Sequence, residues 1–141
     1  MKYKAVIFDF DGTICDTGEG ILKSAKYALD YYNIEAPEYT ELTFFIGPPL
    51  LVTFQEKFGV DANMVKKYRE RYTNKGLLES KLYDGIKELF SKLKKENIKL
   101  GIASSKPQDY VEALLDHYGV KSYFDVICGV TFSADCESKA N

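Results

Sequence analysis

From Ala5 to Phe10 the chain reads AVIFDF, a row of β-forming apolar residues that runs straight into two carboxylates, Asp9 and Asp11, one residue apart. A short apolar run closed by a glycine turn reads as a strand buried on both faces, as in parallel sheets. Parallel sheets gather their ligands outside the carboxyl ends of the strands, so this junction constrains fold and chemistry together. Carboxylates this close repel unless a positive charge lies between them or one takes up a proton. Magnesium meets that need, because it accepts a few carboxylate and carbonyl oxygens and keeps waters and a substrate phosphate for the rest. Gly12 lets the backbone turn sharply, and the hydroxyl of Thr13 can orient the loop. Asp-Gly is also a common surface turn. The strand before it, and a second strand with a polar end, weigh against that plainer reading.

Downstream, Ile21, Leu22, Ala25, Ala28, Leu29 and Tyr32 form a helical stripe between Gly18 and Asn33, with Asp16 or Thr17 available as the cap. EYTELTFFIG, PLLVTFQEKFG and ANMVKKYRERYTNKGLLES read as three further helices, the first two separated at Gly47-Pro48-Pro49. YDGIKELFSKLKKEN puts Ile86, Leu89, Phe90 and Leu93 on one helix face, and IKLGIASS follows as a second buried strand. KPQDYVEALLDHYG is helical, with Pro107 in its first turn and Gly119 at its end, and YFDVICGV closes as a third strand. This alternation predicts an α/β fold, a Rossmann-like parallel sheet core from residues 1–16 and 83–141, interrupted by an inserted helical cap over residues 17–82.

With 141 residues, 45% of them apolar, the chain has the size of one ordinary domain and enough apolar surface for a core. A formal charge of -2 gives no electrostatic reason to expect nucleic acid or an anionic membrane as partner. Cys15, Cys128 and Cys136 are odd in number and lack metal-ligand spacing, so they read as reduced thiols. No apolar run approaches the roughly 18 residues of a membrane span, and the expected location is the cytoplasm. His117, the single histidine, reads as a helix-surface residue, and KKYRER as a solvated helix face.

VIFDFDGT resembles the first motif of the haloacid dehalogenase superfamily, an apolar strand ending in Asp-x-Asp-Gly-Thr. LGIASSK resembles the second motif, and YDGIKELFSKLKKENIKLGIASSK is similar to the helix and strand of the phosphoglycolate phosphatase-like branch, which inserts its helical cap just after the position of DGTICDT. The resemblance implies a magnesium-dependent phosphatase acting on a small phosphorylated metabolite such as a phosphoglycolate-like ester or a nucleoside monophosphate. Asp9 would be the nucleophile and Asp11 the general acid and base, both holding the metal. Gly12 and Thr13 would shape the phosphate loop, and Ser104 would bind the transferring phosphoryl group. Ser105 is a weaker candidate for the same task, and both serines could instead cap the following helix. Lys139 would balance the phosphate charge, with Lys106 its competitor. A cap loop at Gly47-Pro48-Pro49 would select substrates. Dehalogenases and phosphonatases lack an acid at the position of Asp11; a sugar-phosphate mutase or a pyrophosphatase keeps both aspartates and stays open.

The family pattern continues into a fourth motif, a strand with further aspartates, and the sequence stops at Asn141 before it. The expectation is therefore a piece of a longer phosphatase, or a core completed in trans. If the chain is complete, its first strand is a sheet edge open to self-association. The rival from another class is an inactive truncated core that serves as a binding or interaction module.

Overall fold

A computed structural model describes residues 2–38, 41–59 and 62–131. Along the chain the elements are β1 (Ala5–Phe8), β2 (Cys15–Asp16), α1 (Gly18–Tyr31), α2 (Leu50–Phe58), α3 (Ala62–Asn74), β3 (Lys81–Leu82), α4 (Ile86–Lys95), β4 (Lys99–Pro107), α5 (Gln108–His117) and β5 (Val126–Val130). Short 3-10 turns lie at Thr43–Phe45, Gly76–Leu78 and Lys121–Tyr123. The chain divides into two compact units, Met1–Asp16 with Leu82–Asn141, and Thr17–Lys81. The short strands β2 and β3 pair with each other.

The first unit is an α/β sheet in the order β1-β4-β5, all parallel. Ala5 pairs with Lys99 and Phe8 with Ile102, while Gly101 pairs with Val126 on the other side of β4. Burial alternates along β4: Leu100, Ile102, Ser104 and Lys106 are buried, and Gly101, Ala103, Ser105 and Pro107 half-buried. One face is packed by Phe8, Phe90 and Phe124, with ring centroids 5.4 Å apart for Phe8 and Phe90 and 5.0 Å for Phe90 and Phe124, in the edge-to-face geometry that aromatic quadrupoles favour.

Three expectations fail here. β1 is not buried on both faces among the described residues: Ile7 is 72% exposed, and Val126, two strands along the same register row, is 58% exposed. The aromatic cluster covers only the face to which Phe8 points. Leu89, expected in the packed stripe of α4, is half in solvent, whereas Ile86 and Phe90 are buried. The covered arc is narrower than the apolar stripe, and Leu89 falls on its edge. Pro107 is not inside α5. It ends β4 and caps the helix with φ -52° and ψ 136°, an extended conformation open to proline.

The second unit is helical. On α1 the buried residues are Gly20, Ile21, Ser24, Ala25, Ala28 and Leu29, close to the expected stripe but without Leu22 and Tyr32. Gly20 is required because a Cβ there would lie 1.9 Å from the carbonyl oxygen of Gly76. The stretch EYTELTFFIG is not an α-helix in its described part, where Glu41 and Thr43–Phe45 take 3-10 conformation. Threonine, isoleucine and two phenylalanines in quick succession are poor helix formers. Phe45 instead drops into the core against Phe54, with centroids 4.9 Å apart. The helix expected through Ser80 stops at Asn74, and the chain bends through Gly76–Leu78.

Candidate active site

The turn after β1 is built around one carbonyl. Phe10 is fully buried, and its oxygen accepts the N–H groups of Thr13, Ile14 and Cys15 at 3.1, 3.0 and 3.3 Å. Gly12 holds φ at 77°, left-handed backbone that a Cβ would strain, and its N–H reaches the Cys15 carbonyl at 2.9 Å. Ile14 and Cys15 are buried as well, so the apolar residues between and beyond the aspartates pin the loop from below. Asp9 then has little freedom, because its Oδ1 accepts the N–H of Phe10 at 2.8 Å. Tyr83 donates its N–H to Ile14 at 3.2 Å, and burial together with the nearby Asp16 and Cys15 pushes its phenol above the ordinary range.

The end of β4 supplies the facing groups. Leu100 and Ile102 occupy the buried row, and the same row continues as Ser104 and Lys106. The alternation that packs the core thus delivers a hydroxyl and an ammonium at the carboxyl end of the sheet. Lys106 Nζ lies 3.1 Å from Asp11 Oδ1, and both side chains are more than nine-tenths buried. Ser104 Oγ accepts the N–H of Lys106 at 3.1 Å, so this serine folds the strand end over itself instead of capping α5. Ser105 is outside the buried row.

The structure therefore brings Asp11, Ser104 and Lys106 together, with Asp9 and Gly12 on the same loop as Asp11 and with Thr13 exposed beside them. Lys139 lies outside the described residues, as does Cys136. Neither Cys15, which is buried, nor Cys128, which is exposed, forms a disulfide among the described residues. His117 is exposed beside the ring of Tyr118, and Arg71 is engaged by Glu79. From the sequence, Lys106 is the competitor of Lys139 for the lysine that balances the phosphate charge. Its signal was the period of two along β4, which places residue 106 in register with residue 104.

Part of the positive charge that the paired carboxylates call for is supplied by this lysine. No cluster of three or more histidine, cysteine, aspartate or glutamate side chains occurs among the described residues. Two carboxylates fit magnesium, which binds through one or two of them and keeps waters and phosphate oxygens, and do not fit a closed zinc site. Among the described residues, no helix is long and apolar enough to cross a membrane.

The pattern of haloacid dehalogenase-like hydrolases matches residues 6–135 of the chain. A 5'-nucleotidase of Pseudomonas aeruginosa is 37% identical over 133 residues, which cover 92% of this chain and 60% of the relative. The tyrosine-protein kinase PtkA of Mycobacterium tuberculosis is 33% identical over 138 residues, 96% of this chain and 47% of the relative. The crystal structure of a predicted phosphatase from Clostridium acetobutylicum superposes with a TM-score of 0.91 at 38% identity, covering 97% of this chain and 65% of that one. The chain thus spans between 47% and 60% of the length of these two curated relatives.

Proposed function

The chain belongs to the haloacid dehalogenase-like hydrolase family, and from that premise we propose that Asp9, Asp11, Ser104 and Lys106 form the phosphoryl-transfer site of a magnesium-dependent phosphatase for small phosphate monoesters. The observation that carries this reading is the buried contact between Lys106 and Asp11 at the carboxyl end of the sheet, two residues from the hydrogen-bonded Asp9. Magnesium held by Asp9 and Asp11 supplies charge neutralisation for the phosphate oxygens.

In this reading an oxygen of Asp9 attacks phosphorus. A new P–O bond forms as the bond to the substrate alkoxide breaks, and Asp11 passes a proton to that alkoxide. Water then attacks the aspartyl-phosphate, Asp11 takes its proton, and inorganic phosphate leaves with Asp9 restored. Ser104 and Lys106 hold the phosphoryl oxygens by hydrogen bond and charge throughout. The helical unit serves as a cap that excludes water from the first step and selects the leaving group.

Hydrolysis of para-nitrophenyl phosphate by the chain, with magnesium and with chelator, tests the proposal. Magnesium-stimulated turnover that vanishes in Asp9→Asn supports it, and undiminished turnover in Asp9→Asn overturns the nucleophile assignment. Phosphoglycolate, nucleoside monophosphates and pyrophosphate then rank the substrate class. Incubation with a glucose phosphate separates hydrolysis from mutase chemistry, and ATP with a tyrosine peptide separates hydrolysis from transfer. A non-catalytic binding role draws on one observation: among the described residues β1 pairs within the main sheet with β4 alone, beside an exposed Ile7. Sedimentation showing dimers that lack turnover would favour it.

A further inference from the structure

Where β4 meets the site, its register against β5 slips. Ala103 pairs with Cys128, but the next pair is Pro107 with Val130, so four steps on β4 face two on β5. Three residues of β4, Ser104, Ser105 and Lys106, thus stand against Gly129 alone on β5, a surplus of two in the stretch that carries the phosphate-binding candidates. A bulge of this kind re-aims side chains and leaves the partner strand short of hydrogen-bond partners.

Gln108 fills that gap. Its Nε2 donates to the carbonyl of Ile127 at 3.0 Å, and its Oε1 accepts the N–H of Gly129. These two backbone groups straddle Cys128, and one carboxamide offers them the donor and acceptor that a backbone residue of a neighbouring strand would. Gly129 is fitted to the same contact. A Cβ there would lie 2.7 Å from Gln108 Cα and 2.8 Å from the Lys106 carbonyl oxygen, distances that real side chains do not adopt. β5 is thus pressed against the backbone of Lys106 and tied to Gln108 at one point.

We propose that Gln108 is a positioning residue: its carboxamide, closed onto a glycine of β5, clamps the Ser104–Lys106 loop so that the Lys106 ammonium stays on Asp11. The clamp acts on Lys106 through backbone and touches no substrate. The inference deepens the phosphatase reading, on which its catalytic consequence rests, but the geometry it claims is measurable without turnover.

The test compares Gln108→Leu, which removes both hydrogen bonds, Gln108→Glu, which keeps the acceptor and loses the amide donor, and the unmodified chain. The first readout is the rate at which a lysine-acylating reagent labels Lys106, followed by peptide mass spectrometry, with exposed Lys99 as the internal standard. The unmodified chain labels Lys106 at least tenfold more slowly than Lys99. Gln108→Leu closes most of that gap, and Gln108→Glu part of it, at temperatures well below melting. Unchanged Lys106 labelling in both variants overturns the clamp, whether or not the chain is a phosphatase. The second readout is kcat on para-nitrophenyl phosphate. Gln108→Leu lowers it about tenfold with KM little changed, and lowers it less than twofold in a Lys106→Met background, since residues acting through one another are not additive. Equal factors in both backgrounds mark Gln108 as a general stabiliser and overturn the positioning role. Altered labelling in a chain without any turnover keeps the clamp and removes the phosphatase reading.

Discussion

Among the described residues the helical unit holds a half-buried ion pair and the α/β unit a buried one, and the two are built differently. In the helical unit Arg71 meets Glu79 as a fork, Nη1 to Oε1 at 2.7 Å and Nη2 to Oε2 at 3.3 Å, with Nη1 also donating to Ser24 at 3.1 Å. In the α/β unit the Lys106 ammonium lies 3.1 Å from Asp11 Oδ1, and this pair is the more deeply buried of the two. A guanidinium fork has fixed geometry and uses its donors on the partner, which suits a staple between α3, α1 and the chain leaving Gly76–Leu78. An ammonium is a point charge with rotatable donors that can be shared with a second anion. The same charge arithmetic therefore gives a structural tie in one unit and, in the function proposed above, a site for an arriving phosphate in the other.

The comparison breaks first at Asp9, the proposed nucleophile. Asp9→Asn removes the attacking oxygen without touching either ion pair, and turnover should fall by about a thousandfold or more while the melting temperature stays within a few degrees. Steady-state hydrolysis and a thermal melt on the same sample read both. Lys106→Met comes next. Activity should fall by roughly a hundredfold from loss of charge facing the phosphate, and stability should fall by around 3 kcal/mol because Asp11 is left buried without its partner. Urea unfolding gives the second number, and a variant as stable as the parent would show that the contact is not desolvated as the geometry implies.

Glu79→Gln, by contrast, should cost about 1–2 kcal/mol, reduced from a fully buried charged hydrogen bond because the pair keeps some exposure. It should leave kcat on a small ester nearly unchanged. Acid sharpens the contrast further. The Arg71 hydrogen bond holds the Glu79 carboxyl below the ordinary range. Its folded value thus lies under its unfolded one, so its stabilisation is complete above the unfolded carboxyl range of about pH 4 and is lost as pH falls through the folded value. Asp125 behaves likewise, held down by the Leu100 N–H and by Lys94. Melting curves between about pH 7 and pH 3 should show a shallower acid loss in Glu79→Gln than in the parent. The smallest effect belongs to Leu89→Gln on the uncovered side of α4, within about 0.5 kcal/mol.

Much of the site was legible in the chain because its signals are local. An apolar run that ends in Asp-x-Asp-Gly announces a strand, a turn and two carboxylates within a dozen residues, and Ser104 follows a second such run. The α/β alternation was legible for the same reason, since periods of two and 3.6 are properties of neighbours. Local propensity failed where a distant partner decided the outcome. EYTELTFFIG has helical spacing, yet Phe45 finds Phe54 and the segment folds around that contact. Leu89 has the right spacing on α4 and simply lies beyond what covers the helix.

By itself the sequence determined the parallel α/β character, the turn that carries Asp9 and Asp11, and the strand end that carries Ser104, because each rests on a short stretch whose chemistry and period agree. Only the tertiary structure decided that Lys106 meets Asp11, that β4 bulges against β5 to allow it, and that Gln108 and Gly129 meet across the slip. These are pairings between residues 21 to 95 positions apart. A register shift between two strands leaves no periodic mark in either one, beyond a single glycine where a side chain would not fit.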